Sequence, residues 1–205
     1  MLDKVIKQKL VVIGNGMAGI RTVEALLERA PDLYDITVFG SEPYGNYNRI
    51  LLSPVLAGEK TVDDIMLNTV DWYEDNNITL RKGETVSMID RRTCEVVTDA
   101  GDRVPYDRLL IATGSNPIVL PLPGKELPGV IGFRDIYDVD RMIKASTDYR
   151  NAVVIGGGGG VGRGICHGLA DAAFLDRRVA PRAEIEQLAR VHPISYIERV
   201  RSEER

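Results

Sequence analysis

Gly14, Gly16 and Gly19 stand at the spacing G-x-G-x-x-G, directly behind the apolar run Leu10-Val11-Val12-Ile13. The chemistry open to such a loop is the cradling of a dinucleotide pyrophosphate. The first glycine permits a tight turn out of a strand, Gly16 lets the backbone approach the anion, and Gly19 lets strand and helix pack closely. A helix that starts there presents unpaired N–H groups and the positive end of its dipole to the phosphates. Glu42 lies 23 residues beyond Gly19, about where an acid that accepts hydrogen bonds from a ribose is expected. The bland alternative is a glycine-rich turn in an α/β domain that binds nothing.

The elements that must position these residues are legible around them. Residues 9–13 are short, apolar and β-branched, as a buried parallel strand requires. Ile20, Val23, Leu26 and Leu27 then recur at helical spacing over residues 17–30, and Pro31 stops the helix. Residues 36–39 form a second strand, so the first forty residues read as one βαβ unit. A polar stretch with Pro43, Gly45 and Asn46 precedes a helix over 50–57. A second short helix spans 70–75, with Asn68 or Thr69 as its N-cap. Strands follow at 78–81, 84–89 and 95–98, with a turn at 99–102. Residues 109–114 read as a further buried strand ending in small residues. Residues 116–129 hold four prolines and read as a linker. A helix over 138–145 and a strand over 152–155 complete the pattern, the latter opening a second strand-then-glycine unit at Gly156 and Gly158.

Composition removes several classes of function. Of the 205 residues 44% are hydrophobic, enough for one sizeable core or two small ones. The net charge of -4 argues against a nucleic-acid binder and against an anionic membrane surface. No apolar run approaches the roughly 18 residues of a membrane span. Residues 1–10 lead straight into a strand without a signal-peptide core. The two cysteines, Cys94 and Cys166, are far apart and lack metal-ligand spacing. A reduced, cytoplasmic protein is the expectation. Cys94 falls in an expected strand as a small core residue, and Cys166 beside His167 makes no nucleophile pair by adjacency alone. Trp72 and Tyr73 read as packing residues.

The motif cannot separate FAD from NAD, and a resemblance makes the choice. Gly40-Ser41-Glu42-Pro43-Tyr44, then Asn46-Tyr47-Asn48-Arg49 and Leu52-Ser53, resembles a signature of flavin-dependent pyridine nucleotide oxidoreductases. Arg108-Leu109-Leu110-Ile111-Ala112-Thr113-Gly114-Ser115 resembles the family's segment beside the flavin. Within that superfamily the chain is most similar to the N-terminal part of NAD(P)H nitrite reductase large subunits, over about three quarters of its length. The resemblance implies an α/β fold: an FAD-binding Rossmann-like half-domain, built as a parallel sheet with a β-meander, plus the beginning of a second Rossmann unit. It divides the chain into an FAD-binding region over 1–116, a linker over 117–130, the start of an NAD(P)H-binding domain over 131–160 and a divergent tail over 161–205. By position, Gly14, Gly16 and Gly19 would hold the FAD pyrophosphate and Glu42 the adenosine ribose. Arg49 would pair with a phosphate or shield the flavin, Val86 would give backbone contacts to adenine, and Thr113 and Gly114 would line the isoalloxazine or ribityl. Gly156 and Gly158 would open the NAD(P)H site. No catalytic acid, base or metal ligand is implied. Residues 39–56 contain no cysteine, so the dithiol pair of the disulfide reductases is missing there.

The pattern breaks after Gly158. The family's second unit reads G-G-G-x-x-G-x-E, but here Val161 takes the place of the third glycine and no acid follows. From Gly158 onward the basic residues are eight arginines and no lysine, against seven lysines and eleven arginines before it. A reading-frame change near Gly158 accounts for so abrupt a shift, and resequencing the locus tests it; a divergent tail with a helix over 181–189 is the alternative. The expected function is the FAD-binding portion of an NAD(P)H-dependent oxidoreductase that passes hydride to the flavin and electrons on to a metal centre or a redox protein. Downstream domains would complete it. A non-catalytic FAD or adenine-nucleotide module, or an inert truncated product, stays open beside it.

Overall fold

The computed structural model describes residues 7–149, 151–155 and 165. Strand β1 (Gln8–Ile13) is buried from Leu10 onward. Helix α1 (Met17–Arg29) follows it, and β2 (Tyr34–Gly40) returns parallel to β1 with Leu10 opposite Ile36 and Ile13 opposite Phe39. Strand alternation sends Leu10 and Val12 to one face of the sheet, where they meet Ile20 and Val23 of α1. Val11 and Ile13 point to the other face and meet Phe39 and Val96. Burial on both faces is why β1 reads as an unbroken apolar run.

The rest of the sheet is built outward from this pair. Its order is β5–β2–β1–β9, all parallel, with β5 at Ile78–Lys82 and β9 at Arg108–Ile111. An antiparallel meander of β6 (Val86–Asp90), β7 (Glu95–Thr98) and β8 (Arg103–Pro105) covers the second face. Two-residue β3 (Asn46–Tyr47) pairs with β4 (Met66–Asn68), and between them lie a 3-10 turn at Arg49–Leu51 and α2 (Leu52–Leu56). Helix α3 (Val70–Asp75) feeds β5.

Helix α4 (Ile136–Asp148) comes after the proline-rich stretch, which carries no helix or strand. Ile136 and Val139 are buried against Tyr47, Leu52, Val55, Leu56 and Ile65, so α4 shares a core with α2. The helix starts two residues before the expected position because the Asp135 carboxylate accepts from the Asp138 amide at 2.8 Å. Among the described helices none is long and apolar enough to cross a membrane.

Four local expectations are corrected. The strand at 109–114 stops at Ile111 and, being the last of the described strands on that side, leaves Ile111 59% exposed rather than buried. The strand expected from residue 84 begins at Val86, because the Glu84 amide bonds the Gly40 carbonyl and its carboxylate pairs with Arg81 at 2.8 Å. Cys94 is not a core residue. It is exposed at the end of the β6–β7 turn with φ +54°, and its carbonyl accepts from Tyr106. Residues 152–155 form no strand, and Val153 is 91% exposed. A parallel strand needs a neighbour to bond its backbone, and no described strand lies beside these residues. Thr69 is the N-cap of α3 but makes no side-chain cap bond. The tail, with Cys166, His167 and His192, lies outside the described residues, so the frame-change reading is not addressed by the fold.

Candidate dinucleotide-binding site

The chain runs outward from β1 to β2 and β5, then crosses back to place β9 on the other side of β1. In open parallel sheets such a reversal leaves a crevice at the carboxyl ends of the strands, and ligands bind there. The G-x-G-x-x-G loop sits at that point. The Gly14 amide donates to the Phe39 carbonyl at 2.9 Å, and the Ala112 amide to the Ile13 carbonyl at 2.8 Å, tying the loop to β2 and to the end of β9. Gly14 has φ +115°, and a Cβ there would stand 2.2 Å from the Ala112 carbonyl oxygen. A Cβ on Gly19 would stand 2.5 Å from the Gly14 oxygen. Both are glycine because backbone fills the space.

Gly16 differs. A Cβ there would meet nothing within 4 Å. It is the N-cap of α1, no side chain caps the helix, and the first turn contains no acid. The protein therefore leaves the N–H groups of the first turn of α1 without a side-chain acceptor, under a position kept clear of protein. This fits a pyrophosphate, whose oxygens would take those donors at the positive end of the dipole.

Glu42 lies two residues past β2, where the Gly83 amide donates to its carbonyl at 3.0 Å and fixes the loop. Its carboxylate accepts from the Tyr47 hydroxyl at 2.6 Å and is ion-paired with Arg49. Burial, and then the bond to Glu42, raises the Tyr47 phenol well above its ordinary value, so it remains a donor. A carboxylate offers about four lone-pair directions, so those left free can accept from ribose hydroxyls. Arg49 lies over the Tyr47 ring at 4.9 Å and donates to the Arg134 carbonyl at 3.0 Å.

These contacts bring Gly14, Gly16, Gly19, Glu42 and Arg49 to one edge of the sheet, with Thr113 and Gly114 exposed just past β9. Gly114 has φ +71°, and a Cβ on it would lie 3.3 Å from the Arg134 guanidinium. Val86 is half-buried in the meander, and its side chain packs against the cluster containing Ile13 and Phe39. Gly156 and Gly158 lie outside the described residues. Sequence reasoning missed Arg134 and Asn15. Arg134 is 85 residues from its partner Arg49 and carries no local signal. Asn15 stands inside the motif at a position the pattern leaves free. Tyr73 was read only as packing, and it is fully buried, but its hydroxyl also bonds Asn15 at 2.5 Å. No group of three His, Cys, Asp or Glu among the described residues is placed to hold a metal.

Comparison with known proteins shows the family and the fold. The chain is 54% identical over 152 residues to a nitrite reductase [NAD(P)H] of Bacillus subtilis, covering 74% of this chain and 19% of that protein. It is 50% identical over 152 residues to an assimilatory nitrate reductase electron transfer subunit of the same organism, covering 74% of this chain and 20% of the relative. The chain thus spans about a fifth of the length of these two relatives. Among solved structures, an NADH:rubredoxin oxidoreductase from Clostridium acetobutylicum superposes with a TM-score of 0.70 at 29% identity, over 82% of this chain and 43% of that one. A ferredoxin reductase from Rhodopseudomonas palustris superposes with a TM-score of 0.74 at 26% identity, over 96% of this chain and 48% of that one. The family model for pyridine nucleotide-disulphide oxidoreductases matches residues 8–164, and the chain belongs to that family.

Proposed function

We propose that this chain is the FAD-holding part of an NAD(P)H-dependent flavin oxidoreductase of the nitrite reductase type. The observation that carries the reading is the uncapped start of α1, beneath the clear space at Gly16, at the switch point of a parallel sheet. Bound FAD would supply the acceptance of hydride from NAD(P)H and its release as electrons to a metal centre or a redox protein. The chain's own residues bind and orient. The first-turn amides of α1 hold the pyrophosphate, Glu42 holds the adenosine ribose, and Arg49 and the Tyr47 hydroxyl fix the direction of the Glu42 carboxylate. Gly114, lacking a Cβ, lets a ligand approach the backbone past β9. The acceptor is of the class named for the relatives, an electron-transfer partner or a nitrite-reducing centre, and its ligands belong to other segments.

A second reading is an FAD or adenine-nucleotide module that binds without turning over. It is favoured by the uncapped first turn of α1, whose free donors suit a pyrophosphate whether or not hydride is transferred. One titration separates the two. The full chain is mixed with FAD, freed of excess by gel filtration, and its visible spectrum recorded before and after anaerobic NADH. Retained flavin that bleaches is the expected result. Retained flavin that stays oxidised supports the module, and no retained flavin removes the first reading and the FAD form of the second.

A further inference from the structure

We propose that Tyr73 is a positioning residue for the pyrophosphate loop and acts through Asn15, an inference that rests on the FAD-binding reading above. Asn15 lies between the two glycines nearest the anion, yet its side chain turns back toward the protein. Its Nδ2 donates to the Tyr44 carbonyl at 3.1 Å, and its Oδ1 accepts from the Tyr73 hydroxyl at 2.5 Å. The amide orientation follows from chemistry, because a carbonyl can only accept and the Tyr44 oxygen must face the NH₂ group. A Cβ on Gly40 would stand 2.8 Å from the Asn15 Cβ, so β2 ends in glycine to let Asn15 lie across it. Three segments distant in sequence (the end of β2, the loop before β3, and α3) thus converge on one side chain.

Tyr73 is the fixed end of this chain of contacts. It has no solvent exposure, packs in the cluster of Leu10, Val12, Ile36 and Ile78, and meets the Trp72 ring edge-on at 5.0 Å. Neither purpose needs a hydroxyl, and phenylalanine would pack as well. The hydroxyl also interacts with the Asn46 backbone amide, but its bond to the loop is the one it donates to Asn15. Glycines on both sides of Asn15 give the loop wide backbone freedom, and donors aimed at an anion serve best when their direction is set before the ligand arrives. A buried phenol anchoring the middle residue sets it.

The test measures FAD and adenosine affinity of the full chain by titration for the parent, Tyr73→Phe, Asn15→Ala and the double variant, with a thermal melt of each. Adenosine reaches Glu42 but carries no pyrophosphate. Each single variant is expected to weaken FAD about tenfold, to leave adenosine unchanged, and to lose nothing more when combined. Unchanged FAD affinity in Tyr73→Phe overturns the proposal, as do additive losses or equal losses for FAD and adenosine. If Tyr73→Phe does not fold, Asn15→Leu takes its place with the same criteria. If the parent binds neither ligand, the functional reading fails first. The latch is then decided by amide hydrogen exchange at Gly14 and Gly16, which Asn15→Ala must accelerate relative to the parent and which, unchanged, overturns it.

Discussion

Gly16→Val is expected to fold like the parent and lose FAD, whereas Gly14→Ala is expected to lose the fold. The two residues share one motif, yet the structure assigns them opposite roles. At Gly16 the backbone is extended, with φ -91° and ψ 174°, which a β-branched residue adopts readily. Beyond its chain neighbours, no protein atom lies within 4 Å of the added carbon. The new side chain enters the space proposed for phosphate. Unfolding free energy should fall by no more than about 1 kcal/mol, the cost of valine at an N-cap, while FAD affinity falls on the order of a hundredfold, about 2.7 kcal/mol of lost binding. At Gly14 the left-handed φ and the 2.2 Å approach to Ala112 act together. Backbone strain costs roughly 1–3 kcal/mol and the displaced backbone roughly 1–3 more. Equilibrium denaturation and flavin retention read both variants, and equal stability loss in the two would sink the distinction.

The second large effect is expected at Val139, on the far side of the proline-rich stretch. Val139 has no solvent exposure and packs into the α2 core with Leu52 and Ile136. Val139→Asp places an unpaired carboxylate there, and a loss of about 4 kcal/mol follows. The sign of its pH dependence is fixed. Burial raises the folded-state pKa of the new carboxyl above its unfolded value, so the folded form is disfavoured as pH rises through the range between the two. Below about pH 4, where the unfolded chain is also protonated, the defect shrinks to that of a neutral polar group. Urea denaturation at neutral and acid pH checks both parts. An unchanged melt at neutral pH would mean that α4 is not part of this core.

What the sequence disclosed was local and periodic. Gln8–Gly40 could be read because β1 alternates between two buried faces and α1 repeats Ile20, Val23 and Leu27 at helical spacing, while the glycines mark the one turn where backbone meets backbone. The Glu42 position followed from its distance to the motif. Its tether to Tyr47 and Arg49 did not, because local patterns carry no side-chain pairings. Arg134 was invisible for the same reason, meeting Arg49 across 85 positions. Cys94 was misread because its small apolar side chain suits a strand, and nothing nearby announced that the β6–β7 turn needs a left-handed residue there. The end of β9 was read three residues too late. Its apolar run continues into Ala112-Thr113-Gly114, whereas strand length is set by the partner β1, whose ladder to β9 closes at Ile13 opposite Ile111.

Trp72, the chain's single tryptophan, touches Tyr73 edge to face. An optical reporter is therefore built into the protein two contacts from the glycine loop, by way of the Tyr73 hydroxyl and Asn15. Oxidised flavin absorbs in the near-ultraviolet where tryptophan emits, so a ligand seated on the loop would quench this one fluorophore by energy transfer. Binding could then be followed in real time on the unlabelled protein, with no second tryptophan to dilute the signal.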